Sequence, residues 1–289
     1  ALDSLDELED ITEIIVRALD SLLDYQDYPL KSAELTSINR RTLGIGVTNL
    51  AYYLAKNDAK YSDGSGNELI HKTFEALQFY SLKASNKLAK ELGACPLFSE
   101  TQYAKGLLPI DTYKKDIDKF CGTKLELDWD KLRKDIVSKG LRNSTLTALM
   151  PCESSSQISN STNGIEPPRG FVSIKQSKDG ILKQVVPEYE KLHNKYELLW
   201  DIKDNEGYLQ LCAIMQKFVD QSISTNTHYD PSQYDGNKVP MKLFMMDLLK
   251  AYKYGIKTLY YHTTRDGATD EQNNSKPSDD DCEDGVCKL

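Results

Sequence analysis

The sequence predicts an α/β fold, and three observations support this assignment. Segments with apolar residues at helical spacing alternate with short apolar runs of strand type. Glycine and proline stand at the ends of several of these segments, where helices and strands usually stop. From about residue 266 the chain is polar and acidic, which predicts a disordered end. The expected organisation is one α/β domain over residues 1–265 and a flexible acidic tail over residues 266–289.

Six segments have the pattern of helices. The first opens with a capping box, Ser4 followed by Glu7, and continues with leucine and isoleucine at helical spacing. The last follows Pro240, which suits a first helical turn, and stops at Gly255. The predicted helices after the first cover residues 40–56, 68–92 (closed by Gly93), 187–200, 206–223 and 240–254.

Short apolar runs between these helices predict strands. One run covers Thr145–Met150 and another covers Ile256–Tyr261. A hairpin is predicted between them, with strands Phe171–Lys175 and Ile181–Val186 around the turn residues Asp179 and Gly180.

Composition and charge exclude several classes of protein. No apolar run approaches the roughly 18 residues of a membrane span, and the acidic first ten residues are unlike a signal or transit peptide. Of the net charge of −8, residues 266–289 carry −6, from eight acidic residues and two lysines. The nearly neutral remainder predicts no nucleic-acid partner, and no membrane partner is expected either. Six cysteines without a secretory signal favour free thiols in the cytoplasm.

The segment Thr145–Ser159 is the first candidate site. A run of strand type ends at Met150, Pro151 breaks it, and serines follow where a helix could begin. Unpaired backbone N–H groups, serine hydroxyls and a helix N-terminus together form an anion site. The alternative is ordinary helix capping by Ser154 or Ser155, which the spacing alone favours.

The neighbouring tyrosines Tyr260 and Tyr261 are the second candidate. Paired tyrosines at a strand end usually pack half-buried, with their hydroxyls hydrogen-bonded. The alternative is a redox role, because a phenol can lose an electron and a proton together and exchange a radical with a phenol in contact. Adjacent residues of a regular strand point to opposite faces, so stacking of these rings requires a local departure from strand geometry.

Cys282 and Cys287 stand in the terminal stretch C-E-D-G-V-C, and three interpretations are open. Without a nearby histidine they are an incomplete zinc set, and no metal site is predicted for the chain. Inert thiols are unusual on a segment that cannot bury them. A dithiol that cycles through a disulfide needs accessibility, mobility and a short loop, which this segment offers.

Five stretches together resemble the large, catalytic subunit of class I ribonucleotide reductases, in that family's order. They are R-R-T-L-G-I-G-V (40–47), L-R-N-S-T-L-T-A-L-M-P (141–151), N-G-I-E-P-P-R-G (163–170), Q-S-I-S-T-N-T (221–227) and K-T-L-Y-Y-H-T-T-R-D-G (257–267). The terminal cysteine pair is a further hallmark of the family. The resemblance covers nearly the whole chain but only the C-terminal portion of the family's longer subunit, so it implies the later part of that α/β barrel.

The resemblance implies that one loop holds the phosphates of the substrate, which outweighs the capping interpretation. The residues of this loop are Pro151, Cys152, Glu153, Ser154 and Ser155. The family commonly has serine at the position of Cys152, and a hydroxyl is a better hydrogen-bond donor than a thiol. We therefore expect a phosphate site that is altered in strength but still present.

The same resemblance implies redox roles for the other candidates. Tyr260 and Tyr261 look like the final relay for a radical generated in a small subunit. Cys282 and Cys287 look like the shuttle that re-reduces the active-site disulfide and is itself reduced by thioredoxin or glutaredoxin. The implied reaction converts ribonucleoside diphosphates to deoxyribonucleoside diphosphates.

The family's other functional parts lie upstream of the matching region. No motif here matches its thiyl-radical cysteine, so this chain is expected to be inactive alone, as a separately encoded or shortened C-terminal piece. The implied partners are the N-terminal part of the large subunit, the small subunit and a second large subunit in a dimer. No cofactor is expected on this chain. A di-iron tyrosyl radical is expected in the small subunit, and ATP and deoxynucleotide effectors on the N-terminal portion.

A non-catalytic binding protein is the alternative function. Such a protein would engage the small subunit or thioredoxin without contributing to turnover. The intact tyrosine pair and terminal cysteines weigh against it, because a binding protein has no need of redox residues.

Overall fold

A computed structural model describes residues 5–177 and 180–265, together with the backbone of residues 282–283 and 286–287. The side chains of residues 5–6, 175–177 and 180–181 are outside this description. Helices and strands are both present, and the predicted α/β fold is confirmed. The tail predicted over residues 266–289 lies outside the described residues except for the short backbone segments at 282–283 and 286–287.

The helices vary from single turns to seven turns in length. They are α1 (Leu5–Tyr25), α2 (Lys31–Arg40), α3 (Leu50–Lys56), α4 (Asn67–Leu92), α5 (Pro109–Thr112), α6 (Asp118–Cys121), α7 (Trp129–Lys139), α8 (Ser155–Ile158), α9 (Tyr189–Leu192), α10 (Glu206–Phe218) and α11 (Met241–Tyr254). The strands are β1 (Val172–Ser177), β2 (Gly180–Val185), β3 (Thr225–Tyr229), β4 (Leu259–Thr264), β5 (Cys282–Glu283) and β6 (Val286–Cys287).

The chain divides into two compact units, each assembled from separate stretches. Unit 1 consists of Ala1–Gly46, Asn67–Leu149 and Ala213–Ile223. Unit 2 consists of Val47–Gly66, Met150–Cys212 and Ser224–Leu289.

Unit 1 is organised around the long helices α1 and α4, which pack against each other. Leu8 and Val16 of α1 are buried, and Arg17 pairs with Glu91 of α4 at 2.7 Å. This arrangement follows because α1 is amphipathic. Its apolar face is buried, and charged residues on its other face form ion pairs with α4 at the surface.

The helix predicted over residues 40–56 is wrong in its first half. Arg41 has a left-handed backbone, with φ of 48°, and residues 42–49 are not helical. Ile45 then makes a parallel β-bridge to Thr147. Arg41 leaves the helical path while its guanidinium is held in the interior, where Nε donates to the buried Asp20 at 2.7 Å. A buried ion pair with this geometry outweighs the local helical pattern, and the helix forms only over α3.

The helix predicted over residues 187–200 is also wrong as a continuous element. The structure has the single turn α9 and, after a break, a 3₁₀ turn over Leu199–Asp201. The N–H of Leu199 donates to the carbonyl of Pro168 at 2.8 Å rather than to a carbonyl one turn earlier. Glu197 accepts a hydrogen bond from the backbone N–H of Tyr61 at 2.7 Å. These tertiary hydrogen bonds override the weak helix propensity of the segment.

The remaining predicted helices are present. The helices predicted over 68–92 and 240–254 correspond to α4 and α11, and Gly93 and Gly255 follow them with left-handed φ values of 87° and 80°. The predicted helix 206–223 ends earlier, as α10, because the next residues bond to Thr147 instead of continuing the helix.

The predicted strands are present with different ends. The hairpin is confirmed as β1–β2, although its turn residues 178–179 lie outside the described residues. The strand predicted over 256–261 is displaced to β4, because the N–H of Ile256 still bonds back to the end of α11. The run Thr145–Met150 makes isolated parallel bridges through Thr147 and Leu149 instead of a continuous strand.

Unit 2 contains a parallel strand pair that the sequence analysis missed in part. β3 was not predicted, and it pairs in parallel with β4. Thr225 lies opposite Leu259, whereas Thr227 lies opposite His262, so β4 has one extra residue between these pairs. This extra residue is a β-bulge in the middle of β4. None of the helices within the described residues is long and apolar enough to span a membrane.

Candidate functional site

A cavity of about 410 Å³ lies within unit 2. It is enclosed by the loop after Met150, the turn of chain 161–170, the β1–β2 hairpin and the parallel strands β3 and β4. The polar and charged side chains that line it include Glu153, Gln157, Asn163, Glu166, Arg169, Asn226, His228 and Tyr261. The volume suits a small organic ligand.

The predicted phosphate loop borders this cavity with only part of its length. Pro151 and Glu153 line the cavity, whereas Ser154 and Ser155 are exposed and do not. Cys152 is buried, and its thiol lies 3.3 Å from the carbonyl oxygen of Met150. Burial raises the pKa of the Cys152 thiol, so it remains protonated at neutral pH.

Two side chains, those of Asn163 and Gln184, hold the loop in place through three hydrogen bonds. The backbone N–H of Cys152 donates to Oδ1 of Asn163 at 2.8 Å. Gln184 of β2 donates from Nε2 to the carbonyls of Ser156, at 3.3 Å, and Ser161, at 2.9 Å. The loop is therefore tied both to the chain that follows it and to the hairpin.

The start of α8 lacks the serine cap that the sequence offered as an alternative. Ser154 occupies the N-cap position but makes no side-chain capping hydrogen bond. Within the described part of the chain, the backbone N–H groups of Glu153 and Ser154 donate to no backbone carbonyl. These donors are free to face water or a bound anion.

Burial sets the charge of two cavity side chains. The pKa of Glu166 is raised chiefly by burial, an effect that its hydrogen bond from Asn226 opposes. Burial also lowers the pKa of His228 to about 3, with the charge of Arg169 adding to the effect, so the imidazole is neutral. Neither ring nitrogen of His228 has a hydrogen-bond partner among the described residues. The cavity wall thus combines the cation Arg169, the Glu166 carboxyl group with its raised pKa, and the neutral His228 imidazole, whose nitrogens are buried without a hydrogen-bond partner among the described residues.

The two predicted relay tyrosines stack at the bulge of β4. Their ring centroids are 4.0 Å apart with an interplanar angle of 45°, and Tyr261 lines the cavity. Hydrogen bonding to Tyr261 raises the pKa of Tyr260. The local departure from strand geometry that stacking requires is present, because the bulge places Tyr260 and Tyr261 together opposite one residue of β3.

The terminal cysteines are described only through their backbones. β5 and β6 form an antiparallel ladder in which Cys282 lies directly opposite Cys287. Directly opposed residues have Cα atoms about 4.5–5.5 Å apart, which is within the range of disulfides. The other four cysteines are free: Cys95, Cys121, Cys152 and Cys212.

The structure brings together some of the predicted site residues and adds others. Pro151, Glu153 and Tyr261 share the cavity wall, with Tyr260 stacked against Tyr261. Sequence reasoning missed Glu166, Arg169, Asn226 and His228 as members of this wall. A signal for three of them was present, since N-G-I-E-P-P-R-G and Q-S-I-S-T-N-T both occur among the stretches that carried the family resemblance. Among residues 5–177 and 180–265, no group of three or more His, Cys, Asp or Glu side chains is placed to bind a metal ion.

Known proteins show the same relationship over nearly the whole chain. Residues 2–262 match the family model described as the ribonucleotide reductase barrel domain. The chain is 66% identical to the ribonucleoside-diphosphate reductase subunit alpha of Haemophilus influenzae over 288 residues, which is 100% of this chain and 38% of that protein. It is 66% identical to the reductase 1 subunit alpha of Escherichia coli over 92% of this chain and 35% of that protein. It is also 51% identical to the subunit alpha of Enterobacteria phage T4, over 98% of this chain and 37% of that protein.

The chain spans little more than a third of the length of these relatives. Identity at this level, together with a family match from residue 2 to residue 262, confirms the resemblance drawn from the motifs. This chain belongs to the ribonucleotide reductase barrel-domain family.

Proposed function

We propose that this chain is part of a ribonucleoside-diphosphate reductase, to which it supplies the substrate-phosphate loop, the tyrosine relay and the thiol shuttle. The reaction replaces the 2′-hydroxyl of a ribonucleoside diphosphate by hydrogen through a radical mechanism. The observation that carries the proposal is the stack of Tyr260 and Tyr261, 4.0 Å between ring centroids, at the wall of a ligand-sized cavity. The relatives named above carry this activity in their names.

The tyrosine pair suits the exchange of a radical between two phenols. A tyrosyl radical takes one electron and one proton from the neighbouring tyrosine. The neighbour then becomes the radical, and the net charge of the pair does not change. Ring contact favours transfer of the electron, and the hydrogen bond that raises the pKa of Tyr260 offers a path for the proton. No separate base is required.

The loop at Pro151 suits the phosphates of the substrate. The unbonded N–H groups of Glu153 and Ser154 are donors for an anion, and Arg169 supplies a positive charge at the same cavity. Because the Cys152 thiol is turned to the Met150 carbonyl, backbone groups, more than this thiol, are expected to bind the phosphate.

The backbone register of the terminal cysteines suits a thiol shuttle. Cys282 and Cys287 lie opposite each other in the β5–β6 ladder, at a spacing compatible with a disulfide. In the exchange, the two thiols are oxidised to one disulfide while the active-site disulfide is reduced to two thiols. Two electrons and two protons pass from the tail to the active site. Thioredoxin or glutaredoxin then reverses the oxidation of the tail.

The proposed enzyme needs further protein. The N-terminal part of the large subunit would supply the cysteine that abstracts the 3′-hydrogen, and the sites for ATP and deoxynucleotide effectors. A small subunit would supply the di-iron tyrosyl radical, and large subunits would pair as a dimer. An exposed apolar surface on α11, which includes Met241, Leu249 and Tyr252, supports contact with another protein.

Reconstitution tests this function. The chain is mixed with the N-terminal part of a relative's alpha subunit and with its small subunit, and deoxynucleotide formation from a ribonucleoside diphosphate is measured. We expect turnover in the complete mixture, and background when any component is omitted. Association with the small subunit or thioredoxin without any turnover would instead support the non-catalytic binding protein.

A further inference from the structure

The stacking of Tyr260 and Tyr261 depends on the bulge in β4. Between two regular pairs of the ladder, β3 has one residue, Asn226, and β4 has both tyrosines. A bulge leaves the extra residue without a regular ladder partner and bends the strand. The backbone N–H of Tyr261 therefore needs an acceptor outside the regular ladder.

The side chain of Asn226 is that acceptor. The N–H of Tyr261 donates to Oδ1 of Asn226 at 2.8 Å, so a side-chain amide replaces the missing strand carbonyl. Asn226 is only 7% exposed, and water therefore does not compete freely for this hydrogen bond.

Glu166 fixes the orientation of the Asn226 amide. Nδ2 of Asn226 donates to Oε1 of Glu166 at 2.5 Å, across 60 positions of sequence. With its nitrogen held by the carboxyl group, the amide presents its oxygen to Tyr261. Rotation of the amide by 180° would place the nitrogen against the Tyr261 N–H, which is also a donor, and would break the hydrogen bond to Tyr261.

We propose that Glu166 and Asn226 are positioning residues for the tyrosine pair, and that their hydrogen-bonded chain to the Tyr261 backbone keeps the two rings stacked. The expected effect on turnover rests on the proposed function. The expected effect on ring stacking depends only on the structure of this chain. The Glu166 carboxyl, the Asn226 amide and the Tyr261 N–H are joined by two hydrogen bonds that run from the cavity wall to the bulge. Loss of either side chain releases the Tyr261 N–H from its acceptor and allows β4 to relax towards regular alternation, in which adjacent rings separate.

Asn205 provides a matched control. It is 4% exposed. Like Asn226, it accepts a hydrogen bond through its amide oxygen and donates one through its amide nitrogen, and the accepted bond comes from β3. Its Oδ1 accepts from the N–H of His228 at 2.8 Å, and its Nδ2 donates to Asp247 at 2.8 Å. Asn205→Leu removes similar hydrogen bonds from the same strand without touching the Tyr261 backbone.

The first measurement is fluorine NMR of the full chain carrying 3-fluorotyrosine at position 260. The ring current of Tyr261, 4.0 Å away, contributes to this chemical shift, and a Tyr261→Leu chain provides the unstacked reference. We expect Asn226→Leu and Glu166→Leu to move the resonance towards this reference, and Asn205→Leu to leave it in place. Glu166→Gln keeps an acceptor oxygen and is expected to restore the stacked position.

The second measurement is turnover in the reconstituted enzyme. We expect Asn226→Leu and Glu166→Leu to lower kcat about 100-fold, the order of effect known for a misplacement of about 1 Å. KM should change less than kcat for Asn226→Leu, because Asn226 acts through the tyrosines. A chain that shows the stacked signal and its loss in the variants, but no turnover under any condition, would refute the proposed function and support the positioning inference.

Two results would overturn the inference. One is an unchanged fluorine resonance in folded Asn226→Leu and Glu166→Leu chains. The other is an equal displacement in Asn205→Leu, which would indicate general loosening of β3. If Asn226→Leu does not unfold cooperatively, Glu166→Leu and Asn226→Asp decide the question. The aspartate keeps an acceptor for Tyr261 but loses the donor to Glu166, so its resonance should also move.

Discussion

Tyr261→Phe separates the chemistry of the tyrosine pair from its packing, because it removes one hydroxyl and keeps the ring. Tyr260 and Tyr261 are 50% and 58% exposed, so the hydrogen bond between them contributes little to stability. Water replaces an exposed hydrogen bond of this kind when it is lost, so its removal changes the free energy of unfolding little. Phenylalanine has no O–H group, and the coupled transfer of an electron and a proton cannot occur through it. We therefore expect turnover to fall to background with almost unchanged folding.

The assay compares three quantities in the reconstituted enzyme. Deoxynucleotide formation is expected to be lost in Tyr260→Phe and in Tyr261→Phe. Binding of the ribonucleoside diphosphate and the free energy of urea unfolding are expected to remain close to those of the unchanged chain. Tyr25→Phe is the matched control, since Tyr25 is 87% exposed at the end of α1 and belongs to the other unit.

Retention of full turnover by either phenylalanine variant would refute the relay. A loss of turnover accompanied by a loss of several kcal/mol of stability would refute the claim that the hydroxyl acts in chemistry alone. Equal losses in Tyr25→Phe would show that tyrosine hydroxyls of this chain affect assembly of the mixture in a general way.

Three other predictions follow from the site. Cys152→Ser should raise the free energy of unfolding by about 1 kcal/mol, because a hydroxyl donates more strongly than a thiol to the nearby Met150 carbonyl; urea unfolding that shows no gain would contradict this. Serine at both Cys282 and Cys287 should abolish turnover with thioredoxin, and a small dithiol should partly restore it; normal turnover with thioredoxin would exclude the shuttle. Because the pKa of Glu166 is raised above its ordinary 4.5, the stability it contributes is present below about pH 4.5 and is lost as the pH rises through the folded-state pKa. The free energy of urea unfolding of Glu166→Gln, taken relative to that of the unchanged chain, should therefore be higher at pH 7 than at pH 4.5. The same difference at the two pH values would contradict the raised pKa of Glu166.

The sequence predicted correctly those helices that are stopped by a residue next to them in the chain. α4 and α11 are followed by Gly93 and Gly255, which adopt the left-handed conformation that stops a helix. The segments 40–49 and 193–198 also have helical patterns, but the structure uses their polar groups in distant contacts. Arg41 with Asp20 and Glu197 with the Tyr61 backbone are examples, and a window of sequence contains only one member of each pair.

The candidate site shows the same limit. The tyrosine pair and the loop at Pro151 were identified because each is contiguous in sequence. Glu166 and Asn226 are 60 positions apart, and neither forms a pattern with its neighbours that predicts the hydrogen bond between them. The bulge was predicted only as a condition for stacking, since a pleated strand cannot place adjacent rings on one side. Its position became apparent from the register of β3 against β4.

Stability alone gives no reason for this arrangement. A bulge gives up regular ladder hydrogen bonds, and two half-exposed aromatic rings bury less apolar surface than rings in a core. The hydrogen bond from Asn226 to Glu166 requires partial burial of a carboxyl group, which disfavours its ionised form. Regular alternation in β4 would recover the ladder and would not need either polar side chain. Features that disfavour the folded state and converge on one point are characteristic of functional sites. Here they converge on the contact between Tyr260 and Tyr261, and a contact between two phenols is the geometry that radical exchange needs.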